Sequence, residues 1–171
     1  MNPGLRQEPD VMSRALWRGY VATFEIQDNQ LFVNDISIEV DDTLNGSDKT
    51  KWISALNQVF PGQKQIKVDW MTGLLVIPNG KLVNYVHMGY ASTYKNYIIL
   101  EIDKGNLVQE KRMSLKEYEK FKDKQFKAFQ KTDEYKKLKE DLKKNTGGTD
   151  EFLDSFIRIY VIDYTTKILT N

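Results

Sequence analysis

At 171 residues and a net charge of +1, the chain is long enough to bury a core without staples and has no polyelectrolyte character overall. It contains no cysteine, which removes disulfides, thiolate metal sites and cysteine nucleophiles together. The small total hides a split, because residues 1–48 carry nine acids and three bases whereas residues 114–144 carry eleven bases and seven acids. Such a split is either self-complementary within the fold or a field that steers a charged partner.

The N-terminus places Arg6, Glu8, Asp10 and Arg14 where a signal peptide needs an unbroken apolar core, so residues 1–14 read as a flexible tail and the protein as cytoplasmic. No uncharged apolar run approaches the roughly 20 residues that span a bilayer. Residues 15–171 read as one domain, with a β-rich body over 15–113, a helical segment over about 114–144 and a C-terminal strand region over 156–170.

Three strings share one grammar of apolar residues, turn residues and leucine: "FEIQDNQL" from Phe24, "LVIPNGKL" from Leu75 and "LEIDKGNL" from Leu100. Each is expected to be a hairpin, since Asn and Gly supply the positive φ of tight turns and the flanks suit a pleated surface. Alternation in the first string predicts a buried face of Tyr20, Ala22, Phe24 and Ile26. Upstream, "GYVATFEI" at Gly19 and "GYASTYKNYIILEI" at Gly89 resemble each other, through duplication or convergence on strand chemistry. Between the first two strings, Ser47 or Asp48 could cap a helix carrying Trp52, Leu56, Val59 and Phe60, closed by Pro61-Gly62.

The segment from Ser114 opens with a capping box to Glu117. Leu115, Tyr118 and Phe121 begin an apolar stripe that Phe126 and Phe129 continue, and Thr132-Asp133 offers a second cap, so the long basic helix contains a possible bend. "NTGGT" ends it. Beyond a helical turn around Asp150, "FIRIYVID" is rich in β-branched residues and reads as a returning strand. A helical stripe of Leu153, Phe156, Tyr160 and Tyr164 is the alternative. The expected class is therefore α+β: an antiparallel, meandering sheet, curled as far as a half-barrel at most, with one short helix and one long basic helix packed on it.

His87 is the only histidine. A catalytic imidazole needs a nucleophile or substrate on one nitrogen and a carboxylate orienting the other, for which Asp69, Ser92 and Glu25 are available. Nothing in their spacing fixes a geometry, and a lone strand histidine is more often structural. Trp17 and Arg18 make a good hot-spot pair by residue type, although alternation along a strand sends them to opposite faces. Tyr85, Tyr90, Tyr94 and Tyr97 crowd one stretch, where amphipathic rings suit sugars, peptides or a half-buried ladder equally. The candidate binding set is thus Trp17, Arg18, Tyr85, His87, Tyr90 and Tyr94. The lysines beyond Ser114 are interleaved with acids in the manner of a solvated helix with i,i+4 pairs, whereas phosphate binding wants an uncompensated stripe. Glycine-rich phosphate loops are absent.

The strings "ALWRGYVATFEIQDNQL" and "DWMTGLLVIPNGKLVNYVHMGYASTY" resemble segments of an uncharacterised family of small bacterial proteins. The resemblance implies a bacterial source and a shared β scaffold; it carries no catalytic residues and does not extend past Ser114. Taken together, the expected function is a non-enzymatic binding or regulatory module that recognises another protein, as immunity and adaptor proteins do. It needs no cofactor, metal, nucleic acid or membrane. The alternatives are a hydrolase using His87 with a carboxylate, and a glycan-binding module using the tyrosines.

Overall fold

The computed structural model describes residues 19–42, 50–86 and 92–170, which form two compact units, Met1–Asp69 and Trp70–Asn171. The protein is α+β, and every strand pair described below is antiparallel. The expected tail over 1–14 and the caps Ser47 and Asp48 lie outside the described residues.

In the first unit β1 (Val21–Gln27) and β2 (Gln30–Asp41) form the expected hairpin. Asp28 and Asn29 sit at φ 49° and 58°, so both central residues are left-handed, as a two-residue type I′ turn requires. A bulge between Thr23 and Phe24 breaks the register. Ala22 and Ile26 are half-buried as the alternation predicts, but Phe24 is 50% exposed. The buried residues here are Leu31 and Val33 of β2, Ala55, and Ile66 and Val68 around the short β4 (Ile66–Lys67), which pairs with Phe32 and Val33.

The helix expected before Pro61 is mostly a strand. β3 (Thr50–Ser54) pairs with Ser37–Asp41 of β2, and only one helical turn, α1 (Leu56–Val59), follows. Thr50, Trp52 and Ile53 are good strand formers, and the Asp35 carboxylate accepts from the Ser37 and Ser54 hydroxyls across the pair. Those hydroxyls hold Asp35 below its ordinary carboxylate range, Ser37 most strongly. The four-residue α1 that remains has no side-chain hydrogen bond at its N-cap Ala55, and a single turn is all that the sheet pairing leaves.

The second unit begins with a meander of β5 (Gly73–Asn84), β6 (Thr93–Asp103) and β7 (Asn106–Ser114). The β6–β7 turn is the expected one, with Lys104 and Gly105 both at positive φ. "LVIPNGKL", however, is not a hairpin. β5 runs through it and pairs with β6 from Gly73 to Asn84, with irregularities between Asn79 and Leu82 and again before Asn84. Gly80 does adopt φ 80°, but Asn79 does not share it, so the positive φ serves a bulge rather than a type I′ turn. Ser92 ties the ends of the connection to β6: its hydroxyl accepts from the Val86 N–H at 3.1 Å.

The basic segment is two helices, not one. α2 (Leu115–Phe129) opens on the expected capping box, and α3 (Asp133–Thr146) opens on Thr132, whose hydroxyl accepts from the Tyr135 N–H. Gly147 at φ 65° ends α3. The expected C-terminal strand over 156–170 is a second departure: α4 (Asp150–Ile159) and α5 (Val161–Tyr164) occupy its first half, and residues 165–170 are irregular. Thr149 caps α4, Asp150 and Glu151 stand in its first turn, and Leu153, Ile157 and Val161 repeat every four residues in the core. That periodicity outweighs the β-branched content of "FIRIYVID".

These helices pack on the β6 face through Ile99, Phe121, Phe126, Phe129, Tyr135, Ile157, Val161 and Ile162. Tyr97 of β6 stacks on Tyr118 of α2 with ring centroids 4.2 Å apart. Burial pushes the Tyr118 hydroxyl well above its ordinary pKa. Inside this core sits one amide, Gln125, with no solvent exposure. Its Nε2 donates to Thr165 Oγ1 at 3.0 Å and to the Lys167 carbonyl at 2.8 Å, while its Oε1 accepts from the Leu169 N–H at 2.9 Å.

Two substitutions test this description. Gly80→Val puts a β-branched residue at φ 80°, with its Cβ 3.1 Å from the Asn96 amide. It should cost about 1–2 kcal/mol, read as a lower denaturant midpoint. Gln125→Leu keeps the volume but leaves the Leu169 N–H and Lys167 carbonyl without their partner. It should cost about 1–3 kcal/mol, and amide exchange at Leu169 should accelerate beyond the global change.

Candidate functional site

Of the six candidate residues, Trp17, Arg18, His87 and Tyr90 lie outside the described residues. Tyr85 follows β5 directly and is 66% exposed. Tyr94 lies in β6 opposite Leu82, half-buried, and its N–H donates to the Tyr97 hydroxyl at 3.0 Å. The tyrosines therefore divide: Tyr97 is core, Tyr94 is intermediate, and Tyr85 is at the surface with Leu82 and Val83, both also exposed. Glu25, a proposed partner of His87, accepts from Asn34 across the β1–β2 hairpin.

A larger apolar surface lies where the sequence suggested a strand. On α4, Phe152, Ile159 and Tyr160 are 58%, 63% and 46% exposed. With 100° per residue, positions 152, 156, 159 and 160 fall within about 100° of arc, so they form one stripe. The rings touch in sequence. Phe156 lies 6.4 Å from Phe152, 4.9 Å from Tyr160 and 6.4 Å from Tyr164, centroid to centroid. The adjacent face of α4, Leu153 and Ile157, centred about 90° further round, is in the core. Apolar residues thus span a wide arc of a ten-residue helix, of which Leu153 and Ile157 are buried, Phe156 is half-buried against Tyr164, and Phe152 and Ile159 are exposed. The sequence carried part of the signal in the helical alternative of Leu153, Phe156, Tyr160 and Tyr164, of which Leu153 is core; Phe152 and Ile159 were missed because strand periodicity gave them no common face.

α4 is held rigidly enough to present that stripe. The Tyr135 hydroxyl of α3 donates to Asp154, and Lys139 reaches Asp154 at 2.6 Å and Asp150 at 3.8 Å. Lys143 meets Asp150 at 2.7 Å, and Arg158 meets Asp123 of α2 at 2.6 Å. Partial burial raises the Asp154 pKa, but the Lys139 and Tyr135 hydrogen bonds outweigh it and hold the carboxyl below its ordinary value. Lys143, then Lys139, lower Asp150 likewise.

A groove of about 360 Å³ lies between β7 and α2, lined by Lys111, Met113, Glu117, Lys120, Phe121 and Lys124 among others. Among the described residues no three His, Asp or Glu side chains converge as a metal-holding group, and no helix is long and apolar enough to cross a membrane. No protein-family model, curated protein or solved structure matches the chain. The surfaces are therefore read from their own geometry.

The ion pairs give a pH expectation. Carboxyls depressed in the fold stabilise it above their unfolded pKa, and that contribution is lost as pH falls through the folded value. Unfolding monitored between pH 5 and about 2 should show stability falling, and Asp154→Asn should fall less steeply over that window than the parent. An identical slope would remove Asp154 from the linkage.

Proposed function

We propose that the protein is a binding or regulatory module of the bacterial cytoplasm that recognises another protein, and that the outer stripe of α4 makes the contact. The supporting observation is the aromatic and aliphatic stripe of Phe152, Phe156, Ile159 and Tyr160 on a helix whose adjoining face is already packed. Its three exposed residues leave roughly 300 Å² of apolar side chain open, the size at which surface patches are often functional. At about 25 cal/mol per Å² its removal from water offers roughly 7 kcal/mol before the costs of association. Phe and Ile have no polar tip to satisfy a sugar hydroxyl, so the stripe suits protein side chains better than a glycan. Anchors at i, i+4, i+7 and i+8 are the spacing with which a helix enters a groove on a partner.

Photo-crosslinking residues placed at Phe152 and at Glu134, an exposed position on α3, test the reading in the native host. A discrete adduct is expected from the first and none from the second. Ile159→Asp should abolish the adduct while melting within a few degrees of the parent. An adduct that survives Ile159→Asp, or one that forms equally from Glu134, overturns the assignment.

A further inference from the structure

The interleaved acids and lysines of α2 suggest i,i+4 compensation, but the folded helix does not use them that way. None of the three acids of α2 forms an i,i+4 ion pair with a lysine of the helix. Glu117 accepts from the Ser114 N–H at 2.8 Å and from its hydroxyl at 2.7 Å, completing the cap. Glu119 meets Lys122 at 3.0 Å, and Asp123 meets Arg158 of α4. Lys116, Lys120, Lys124 and Lys127 are exposed and make no ion pair with a described residue. At 100° per residue these four fall within about 80° of arc, successive steps rising about 4.5–6 Å along the axis. The stripe runs roughly 16 Å.

The β7–α2 groove borders this stripe. Lys120 and Lys124 form its edge, and Phe121 and Met113 line it further in. Lys111 lies 5.9 Å over the Phe121 ring, with its ammonium donating to the Thr170 carbonyl at 2.9 Å. No carboxylate among the described residues pairs with it. Arg112 adds less, since its guanidinium is tied to Glu110. Five lysine charges from two elements thus line one surface, flanked by two carboxylates: Glu117, held by Ser114 and also within the field of Lys120, and Asp123, tied to Arg158.

The geometry points to a second binding site here, for the phosphodiester backbone of a nucleic acid, independent of the α4 stripe. Repeated cations without an exposed aromatic or aliphatic anchor among them match a repeated anion. They do not match a protein interface, which concentrates its energy in desolvated aromatic and arginine anchors. A membrane-surface helix would add an exposed apolar face beside its lysines, and the far face of α2 is the buried core. With no base-reading group in the stripe, the site reads charge and spacing and is indifferent to sequence.

The test is binding of the full chain to a fluorescent mixed-sequence 20-base-pair DNA duplex, from low to physiological salt. Four to five phosphate contacts predict a slope of log K against log salt of about −4, equal for a second duplex of unrelated sequence. Lys120→Gln/Lys124→Gln should make the slope shallower by about 2 and leave the melting temperature close to the parent's. Lys116→Gln/Lys127→Gln should repeat that change, so a folding defect in one pair does not decide the matter. Ile159→Asp should bind the duplex like the parent, which separates this site from the α4 reading. Absence of duplex binding at 50 mM salt, an unchanged slope in both double variants, or equally tight binding of poly-glutamate or phosphatidylserine vesicles overturns the proposal.

Discussion

The buried amide of Gln125 is the constraint on which the helical part of the second unit depends. An amide taken out of water costs a few kcal/mol if its donors and acceptor are left empty, so its position is tolerable only with partners in place. Here all three partners come from one short irregular segment, Thr165, Lys167 and Leu169. That segment has no ladder or helix of its own to satisfy its backbone. Gln125 therefore does for residues 165–169 what a neighbouring strand would otherwise do, and the segment in turn holds the amide. Ile168 extends the arrangement by donating its N–H to Glu101 of β6 at 2.8 Å. The C-terminal segment is thus hydrogen-bonded to the α2 core and to the sheet together.

With its inner face committed in this way, α2 becomes the element around which the others are placed. Tyr118 stacks on β6, Phe121 lies under Lys111 of β7, and Asp123 takes Arg158 from α4. The last of these contacts consumes a carboxylate that could have compensated the outer lysines. The positive stripe is then a consequence of packing: the acids that interleave with lysine in the sequence are drawn into a cap, an i,i+3 pair and a helix–helix bridge. α4 shows the same logic with apolar residues. Its core face is filled by Leu153 and Ile157, and its helix period turns Phe152 and Ile159 away from that face, with Tyr160 exposed at its border.

How much of this was legible in the sequence varies with the range of the interaction that decides each element. Two hairpins, the capping box at Ser114 and the second cap at Thr132 are local, and each is where its residues predict. The errors all involve a distant partner. β3 became a strand because Ser37–Asp41 of β2 was available to pair with it, which no window around Trp52 contains. "VIPNGKL" stayed extended because Tyr94–Ile99 of β6 lies beside it, and a glycine with positive φ fits a bulge as well as a turn. "FIRIYVID" turned helical because its neighbours in space are α2 and β5, against which the four-residue repeat buries better than alternation. The candidate tyrosines could not be sorted by exposure from the sequence, because whether a strand residue is covered depends on the helix packed over it: Tyr85 is exposed, whereas Tyr97 from the same cluster is core under Tyr118.

The bulges of β5 bear on which surfaces remain for contact. In the second unit β5 has one described partner, β6, and its other edge would be a template for strand addition if it were flat. Pro78 contributes no N–H, Lys81 places a charge on the edge, and the two irregularities between Asn79 and Asn84 twist the outer half away from ladder geometry. Three of the usual defences against edge pairing, a proline, a lysine and register irregularities, occur along or beside the stretch where Leu82 and Val83 are exposed. Recognition by main-chain pairing is therefore disfavoured at this edge, and any contact there must be made through side chains. Away from that edge, the exposed apolar residues of this unit's helices stand on α4 and the exposed lysines on α2, two different elements with different chemistry.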